Sequence, residues 1–65
     1  MDIQKLCDKL VGMSEKTATK LVERNDYTWR ITGRDDEQFI ITAELNPDRI
    51  NIHIKNDKVV KVSVG

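Results

Sequence analysis

The sequence contains few of the residues on which catalytic and disulfide-bonded sites depend. Cys7 is its only cysteine, so no internal disulfide can form, and a reducing compartment is expected. Because Cys7 falls on the apolar side of a short helical segment, we interpret it as a small core residue rather than a nucleophile. The only histidine, His53, has no cysteine or serine beside it and is predicted to face solvent from a strand. With three glycines and no phosphate-cradling glycine loop, the sequence predicts no enzyme activity.

Long apolar runs and an excess of one charge are also missing. No segment approaches the length of a membrane span, and the N-terminal residues lack the apolar core of a signal peptide. We therefore expect no membrane partner, and a cytoplasmic location unless a leader has been removed. Lysine plus arginine and aspartate plus glutamate both total 11, so the formal net charge is zero. That balance gives no electrostatic footprint for nucleic acid.

Aromatic residues are scarce, with one tryptophan, one tyrosine and one phenylalanine. Tyr27 and Trp29 lie one strand repeat apart, as a base-stacking platform would require, yet so few aromatics are predicted to be needed in the core. An RNA-binding α+β domain is therefore disfavoured. The acidic run from Asp35 to Glu37 could bind a hard cation, but it lacks the glycine-punctuated spacing of a calcium loop. We interpret the run as a solvated turn and expect no metal site and no cofactor.

The residues that are present predict one small α+β domain spanning residues 1–65. Hydrophobic residues make up 38% and charged residues 34%, as in a globular protein. At this length folding hides only about 60% of the surface of the unfolded chain, so the core must be small. Apolar residues recur at helical spacing from Ile3 to Leu10, which predicts one or two turns ended by Gly12. Ser14 is the predicted N-cap of the main helix, which extends from Ser14 to Arg24.

The second half of the chain alternates with the period of two that is typical of strands. One predicted strand covers Tyr27–Thr32, and two more form a predicted hairpin about a turn at Asn56-Asp57. The residues predicted to share one face are Ile50, Ile52 and Ile54 in the first arm of the hairpin, and Val60, Val62 and Val64 in the second. One main helix on a small sheet is an α+β fold.

The segment between these strands, residues 33–48, is open to two interpretations. It begins with GRDDEQ, a polar turn or loop, and continues as FIITAELNPD before Arg49. If QFIITAEL forms a strand, the sheet becomes a four-stranded meander. If the segment is a loop, its length is typical of functional loops. Its extended, β-branched backbone could then pair with a partner's strand edge, and a protease active site is one such partner.

Three motifs occur in order along the chain: LVGMS before the helix of Ala18 and Leu21, then IITAELNPDRINIHI, and finally VVKVSVG. The first resembles the Leu-Val-Gly that leads into the single helix of the potato inhibitor I superfamily of serine-protease inhibitors, in particular its small bacterial relatives. The second is similar to that family's binding loop, Asp-Arg and alternating strand, and the third to its terminal strand ending in Val-Gly. Together they cover most of the chain from Leu10 onward.

The resemblance implies a helix packed on a small mixed β-sheet, with an extended binding loop between two parallel strands, Tyr27–Thr32 and Arg49–Lys55. Ala43 would precede the bond presented for cleavage, and Glu44 would follow it. Arg49 would brace the loop by a charge-assisted hydrogen bond to Thr42 or Glu44. The protease-contacting residues implied are Ile41, Thr42, Ala43, Glu44 and Leu45, and the loop-supporting residues are Arg49, Asn51 and Gly65.

Departures from the family pattern modify these expectations. Plant members often have a second arginine where this chain has Asn51, which predicts a weaker brace. Asp8-Lys9 replaces the tryptophan that commonly precedes Leu-Val-Gly in plant members. Ala43 is small and would favour elastase-like or subtilisin-like pockets over trypsin-like ones.

The resemblance therefore implies a monomeric, substrate-like inhibitor that binds a serine protease reversibly and tightly. Its target would be a subtilisin-, elastase- or chymotrypsin-like enzyme. The alternative is a non-inhibitory protein–protein interaction module with the same fold, because a fold does not by itself determine function.

Overall fold

The computed structural model describes residues 2–39 and 44–65. Within these residues the chain forms two helices and a four-stranded mixed sheet, which makes it an α+β domain. The elements are α1 (Ile3–Leu10), α2 (Glu15–Arg24), β1 (Thr28–Arg34), β2 (Glu37–Gln38), β3 (Arg49–Lys55) and β4 (Lys58–Val64). No helix in the described ranges is long and apolar enough to cross a membrane.

Each helix begins at a capping side chain. Asp2 accepts a hydrogen bond from the Gln4 amide at the start of α1, at 3.3 Å. Ser14 Oγ accepts one from the Thr17 amide at the start of α2, also at 3.3 Å, which is the N-cap predicted from the sequence. An isolated helix of eight residues would be marginal in water. The first segment is nevertheless an eight-residue helix of about two turns, as its spacing predicts. The described residues therefore contain two helices, where the expected fold class names one main helix.

The burial of α1 explains why it forms. Its residues Leu6 and Leu10 have no exposed surface and Cys7 is only 6% exposed, so one side of the helix lies in the core. Burial also raises the pKa of the Cys7 thiol, which favours its unreactive protonated form. Cys7 is thus a core residue, as the sequence predicts. The remaining core residues are Ala18, Val22, Ile50, Ile52, Ile54 and Val59.

The strand order in the sheet is β2-β1-β3-β4. β1 and β3 are parallel, with Thr28 opposite Arg49, while β2 pairs with β1 and β4 with β3 in antiparallel fashion. A meander is therefore wrong, because the chain crosses from one side of β1 to reach β3 on the other. The described part of QFIITAEL is a strand only at its first residue, which ends β2 at Gln38.

A β-bulge in β4 changes which valines are buried. His53 is opposite Lys61 but Ile54 is opposite Val59, so Val60 is the extra residue. Val59 is 1% exposed and packs in the core, whereas Val60 is 48% exposed. The prediction that Val60 shares a face with the later valines of the strand is wrong, since the extra residue reverses the alternation at that point.

The aromatic side chains also differ from expectation. Trp29 and Phe39 are each 37% exposed and lie outside the core, while Tyr27 is partly buried against it. The indole Nε1 of Trp29 donates a hydrogen bond to Glu23 on α2, at 3.0 Å. The small core is filled mainly by aliphatic side chains from α1, α2 and β3, so of the three aromatics only Tyr27 packs against it.

Gly33 lies in β1 and not in the polar turn predicted for GRDDEQ. A Cβ at this position would lie 2.5 Å from Cε1 of His53 and 2.7 Å from the carbonyl oxygen of Glu37. The absence of a side chain therefore lets the imidazole of β3 and the backbone of β2 approach β1 closely. His53 lies on the face of β3 opposite the core, as predicted, and is half-buried over this glycine with Nε2 at 3.2 Å from the Asp35 carbonyl oxygen.

An ion pair joins α2 to the far end of β1. The Arg34 guanidinium contacts both carboxylate oxygens of Glu15, with Nη2 at 2.8 Å from Oε2. Arg34 holds the pKa of the Glu15 carboxyl below its ordinary value, chiefly through this hydrogen bonding. Glu15 is in the first turn of α2, where the helix dipole also favours a negative charge.

Candidate functional site

The candidate site lies at the end of the sheet where β1 and β3 begin and β4 ends. In the strand registers Thr28 is opposite Arg49, and Ile50 is opposite Val64. The residue after β4, Gly65, is therefore beside the start of β3. The segment that leads into β3, residues 44–48, has no helix or strand and approaches Gly65 at this end of the sheet.

Arg49 joins this segment to the sheet. It is the first residue of β3, and strand alternation places its side chain on the opposite face from Ile50, which is fully buried in the core. Arg49 Nη2 donates to the main-chain carbonyl of Glu44 at 2.7 Å, and Arg49 Nε donates to the carbonyl of Gly65 at 3.0 Å. The fork of the guanidinium thus spans two carbonyls on separate segments, and both hydrogen bonds are charge-assisted.

Gly65 is the shared acceptor in a polar network. Its carbonyl accepts from Arg49 Nε and, at 3.2 Å, from Asn51 Nδ2, while its amide donates to the Arg49 carbonyl at 3.0 Å. Leu45 is also close, since a Cβ on Gly65 would lie 3.8 Å from Leu45 Cδ2. The structure therefore brings the three predicted supporting residues into one set of contacts with Glu44 and Leu45.

A turn at Asn46–Asp48 holds the segment where it returns to the sheet. Asn46 Oδ1 accepts from the Asp48 amide at 2.9 Å, which closes an Asx turn, and the Asn46 carbonyl accepts from the Arg49 amide at 3.1 Å. Pro47 fixes its own φ within this turn. The Asp48 carbonyl then accepts from both the amide and the hydroxyl of Thr28, at 3.0 and 3.3 Å.

Two of the five predicted contact residues belong to the described ranges. Glu44 is exposed and Leu45 is 88% exposed. Ile41, Thr42 and Ala43 lie outside the described residues, as does any contact of Arg49 with Thr42. The main chain after Ala43 is thus held by hydrogen bonds while the side chains that follow it are presented to solvent.

Sequence reasoning missed Arg30, Asn46, Asp48 and Thr28 as members of the site. The dipeptide Asn46-Pro47 carried a usable signal, because asparagine before proline favours a turn closed by its own side chain. Arg30 carried none, since its contact depends on the parallel register that places it opposite Asn51. Arg30 Nε donates to Asn51 Oδ1 at 2.9 Å.

The described residues offer no group of three or more histidine, cysteine, aspartate or glutamate side chains that could hold a metal ion. The hydrogen bonds of the site join carbonyl oxygens to arginine and amide donors. Such an arrangement fixes a backbone conformation.

In comparisons with known proteins, no family model matches the chain and no curated protein matches it significantly.

Proposed function

We propose that this chain is a substrate-like inhibitor of a serine endopeptidase, to which it presents the segment around Ala43-Glu44. The observation that carries the proposal is the hydrogen bond from Arg49 Nη2 to the Glu44 carbonyl, at 2.7 Å. It restrains the main chain next to the bond that the resemblance assigns for cleavage. The exposure of Leu45, at 88%, supports the same assignment, because a protease contacts the side chains around the bond that it attacks.

The proposed mechanism depends on retaining the leaving group. When the protease serine attacks the Ala43 carbonyl, the protease histidine takes the serine proton and passes it to the Glu44 nitrogen, which receives the electron pair of the broken bond and leaves as an amine. In an ordinary substrate this amine diffuses away, and water then hydrolyses the acyl-enzyme. Here the Glu44 carbonyl is bound by Arg49 and the following turn is bound to β1, so the amine remains beside the acyl group. A retained amine reforms the bond, because holding two reactants together favours their reaction by a large effective concentration.

The same restraint favours tight binding. A segment whose backbone is already fixed loses little conformational entropy when it enters an active site. The hydrogen bonds at Glu44, Asn46 and Asp48 are made within the free chain, so they are available before the protease binds. The chain would act as a monomer and as a ligand of the enzyme, without a catalytic centre or cofactor of its own.

Target specificity is assigned to Ala43, the residue on the acyl side of the bond. A methyl side chain fits the shallow primary pockets of elastase-like and subtilisin-like proteases and leaves a trypsin-like pocket without a charged partner. Chymotrypsin-like enzymes are the third class of proposed target.

The test is a panel of subtilisin-, elastase- and chymotrypsin-like proteases, with inhibition constants measured from progress curves. We expect inhibition of at least one member, together with one slow cut between Ala43 and Glu44 seen by mass spectrometry. Rapid digestion of the segment with no inhibition of any member would contradict the proposal.

A non-inhibitory interaction module is the second candidate. It is favoured by the exposure of Leu45 on an anchored turn, since any partner that reads an extended segment could use it. This candidate predicts that no protease in the panel is inhibited and that the segment resists cleavage while the fold stays intact.

A further inference from the structure

Arg30 makes a hydrogen bond whose consequences extend beyond its own strand. It lies in the middle of β1, half-buried, and is opposite Asn51 in the parallel register with β3. Its Nε donates to Asn51 Oδ1 at 2.9 Å. A guanidinium has donors only, so it binds the oxygen of the Asn51 amide and turns the amide nitrogen the other way.

The orientation of this amide determines whether the Gly65 carbonyl faces a hydrogen-bond donor or an acceptor. With its oxygen bound by Arg30, Asn51 directs Nδ2 to the Gly65 carbonyl at 3.2 Å. The reversed amide would place an oxygen against that carbonyl, and two acceptors cannot bond each other. Arg30 therefore selects the amide orientation that binds Gly65.

Gly65 in turn is hydrogen-bonded to Arg49, the residue that holds the segment of residues 44–48. Its carbonyl accepts from Arg49 Nε at 3.0 Å, and its amide donates to the Arg49 carbonyl at 3.0 Å. An Arg49 side chain fixed at Nε has its Nη2 directed to the Glu44 carbonyl. Hydrogen bonds thus run from Arg30 through Asn51 and Gly65 to Arg49 and Glu44.

We infer that Arg30 is a positioning residue for the segment that leads into β3, residues 44–48, and that it acts through the Asn51 amide and Gly65 on the Arg49 side chain. The inference rests on the proposed function for its effect on inhibition, while its effect on Arg49 stands independently. It also gives Asn51 a defined role. The Asn51 side chain is shorter than the arginine that plant members often have there, but its amide, oriented by Arg30, binds Gly65 and so supports Arg49 indirectly.

The first experiment measures the chain without any protease. In Arg30→Met the aliphatic stem is kept and the donor is lost; Arg24→Met, on the exposed surface of α2, is the control with the same change of charge. We expect hydrogen exchange at Arg49 Nε–H and at the Gly65 amide to accelerate about three- to tenfold in Arg30→Met. Exchange at the Ile52 amide in the centre of β3 should stay unchanged, whereas a merely structural role would accelerate it in parallel.

A second variant separates orientation from strand stability. Asn51→Asp keeps an acceptor for Arg30, and adds charge to that bond, but places an oxygen against the Gly65 carbonyl. We expect Asn51→Asp to accelerate exchange at Arg49 Nε–H as Arg30→Met does, although its bond to Arg30 is retained. Normal exchange at Arg49 in Asn51→Asp would overturn the inference, as would equal exchange in Arg30→Met and Arg24→Met.

The inhibition assay completes the test. Against a protease that the wild-type chain inhibits, Arg30→Met should raise the inhibition constant about three- to tenfold, with Arg24→Met unchanged. If the wild-type chain inhibits no member of the panel, the proposed function fails, and the exchange at Arg49 still decides the role of Arg30. Accelerated exchange with an unchanged inhibition constant would overturn the assignment of Arg30 to the binding segment.

Discussion

Replacing Arg49 by methionine tests the support of the candidate segment most directly. The change removes two charge-assisted hydrogen bonds, from Nη2 to the Glu44 carbonyl at 2.7 Å and from Nε to the Gly65 carbonyl at 3.0 Å. Methionine keeps an unbranched apolar stem, so most of the packing of the arginine stem along the sheet is retained. The variant therefore removes the donors with little change in shape.

The magnitude follows from the two contacts. A hydrogen bond to a charged group contributes about 1.5–3 kcal/mol when it is shielded from water. The bond to Glu44 is exposed and the bond to Gly65 is partly buried, so we assign to the pair together no more than the contribution of one shielded bond, about 1.5–3 kcal/mol. A loss of about 1.5–3 kcal/mol in the protease complex raises the inhibition constant about 10- to 150-fold.

The assay compares the inhibition constant, the rate of cleavage between Ala43 and Glu44, and the free energy of unfolding in urea. Arg49→Lys should lie between wild type and Arg49→Met, because an ammonium cannot span both carbonyls as the guanidinium does. Arg24→Met is the matched control. The reasoning would be refuted if Arg49→Met inhibited as well as wild type, or if its cleavage were no faster.

Other predictions concern the scaffold. Val59→Ala should lower the free energy of unfolding by about 1.5–3 kcal/mol, because Val59 is 1% exposed. Val60→Ala, at a position 48% exposed, should lower it by less than about 0.5 kcal/mol. Similar losses for the two variants in urea titrations would contradict the bulge. Gly33→Ala should lower the free energy of unfolding by about 1–3 kcal/mol in the same titration, because the new methyl group would contact the Glu37 backbone and the His53 ring. An unchanged urea midpoint would rule out that close approach. Arg34 lowers the folded-state pKa of Glu15, so the pair stabilises the fold above the ordinary value of 4.5 and its contribution is lost as pH falls through the depressed value. Wild type should therefore exceed Glu15→Gln in melting temperature at pH 7, by the equivalent of about 0.2–1 kcal/mol for so exposed a pair, and the gap should close in acid.

The elements that sequence reasoning located are those set by local patterns. The Ser14 cap and the apolar stripe of α2 identify that helix within a residue of its observed bounds. The alternation of Ile50, Ile52 and Ile54 identifies β3 and its core face. Period and capping depend on neighbours along the chain, so a single sequence contains them.

The elements that it missed depend on pairing between distant segments. The bulge at Val60 exists because two residues of β4 oppose one of β3, and the period of two in the sequence gives no sign of it. β2 is two residues long and exists only as a partner of β1. The contact of Arg30 with Asn51 likewise requires the parallel pairing of β1 and β3. The family resemblance implies that pairing, whereas the alternation of residues within each strand does not.

The division of the sheet into two faces bears on how the candidate segment could change. The core lies on the face of Ile50 and Ile52, whereas Arg49 and Asn51 extend from the other face of the same strand. In every described bond that holds Glu44 and the turn after it, residues 44–48 contribute only a main-chain carbonyl, a main-chain amide or the Asn46 side chain. The side chains of Glu44 and Leu45 take no part in those bonds or in the core. Substitutions there would therefore alter what the segment contacts without altering what holds it, so specificity can change while the fold is kept.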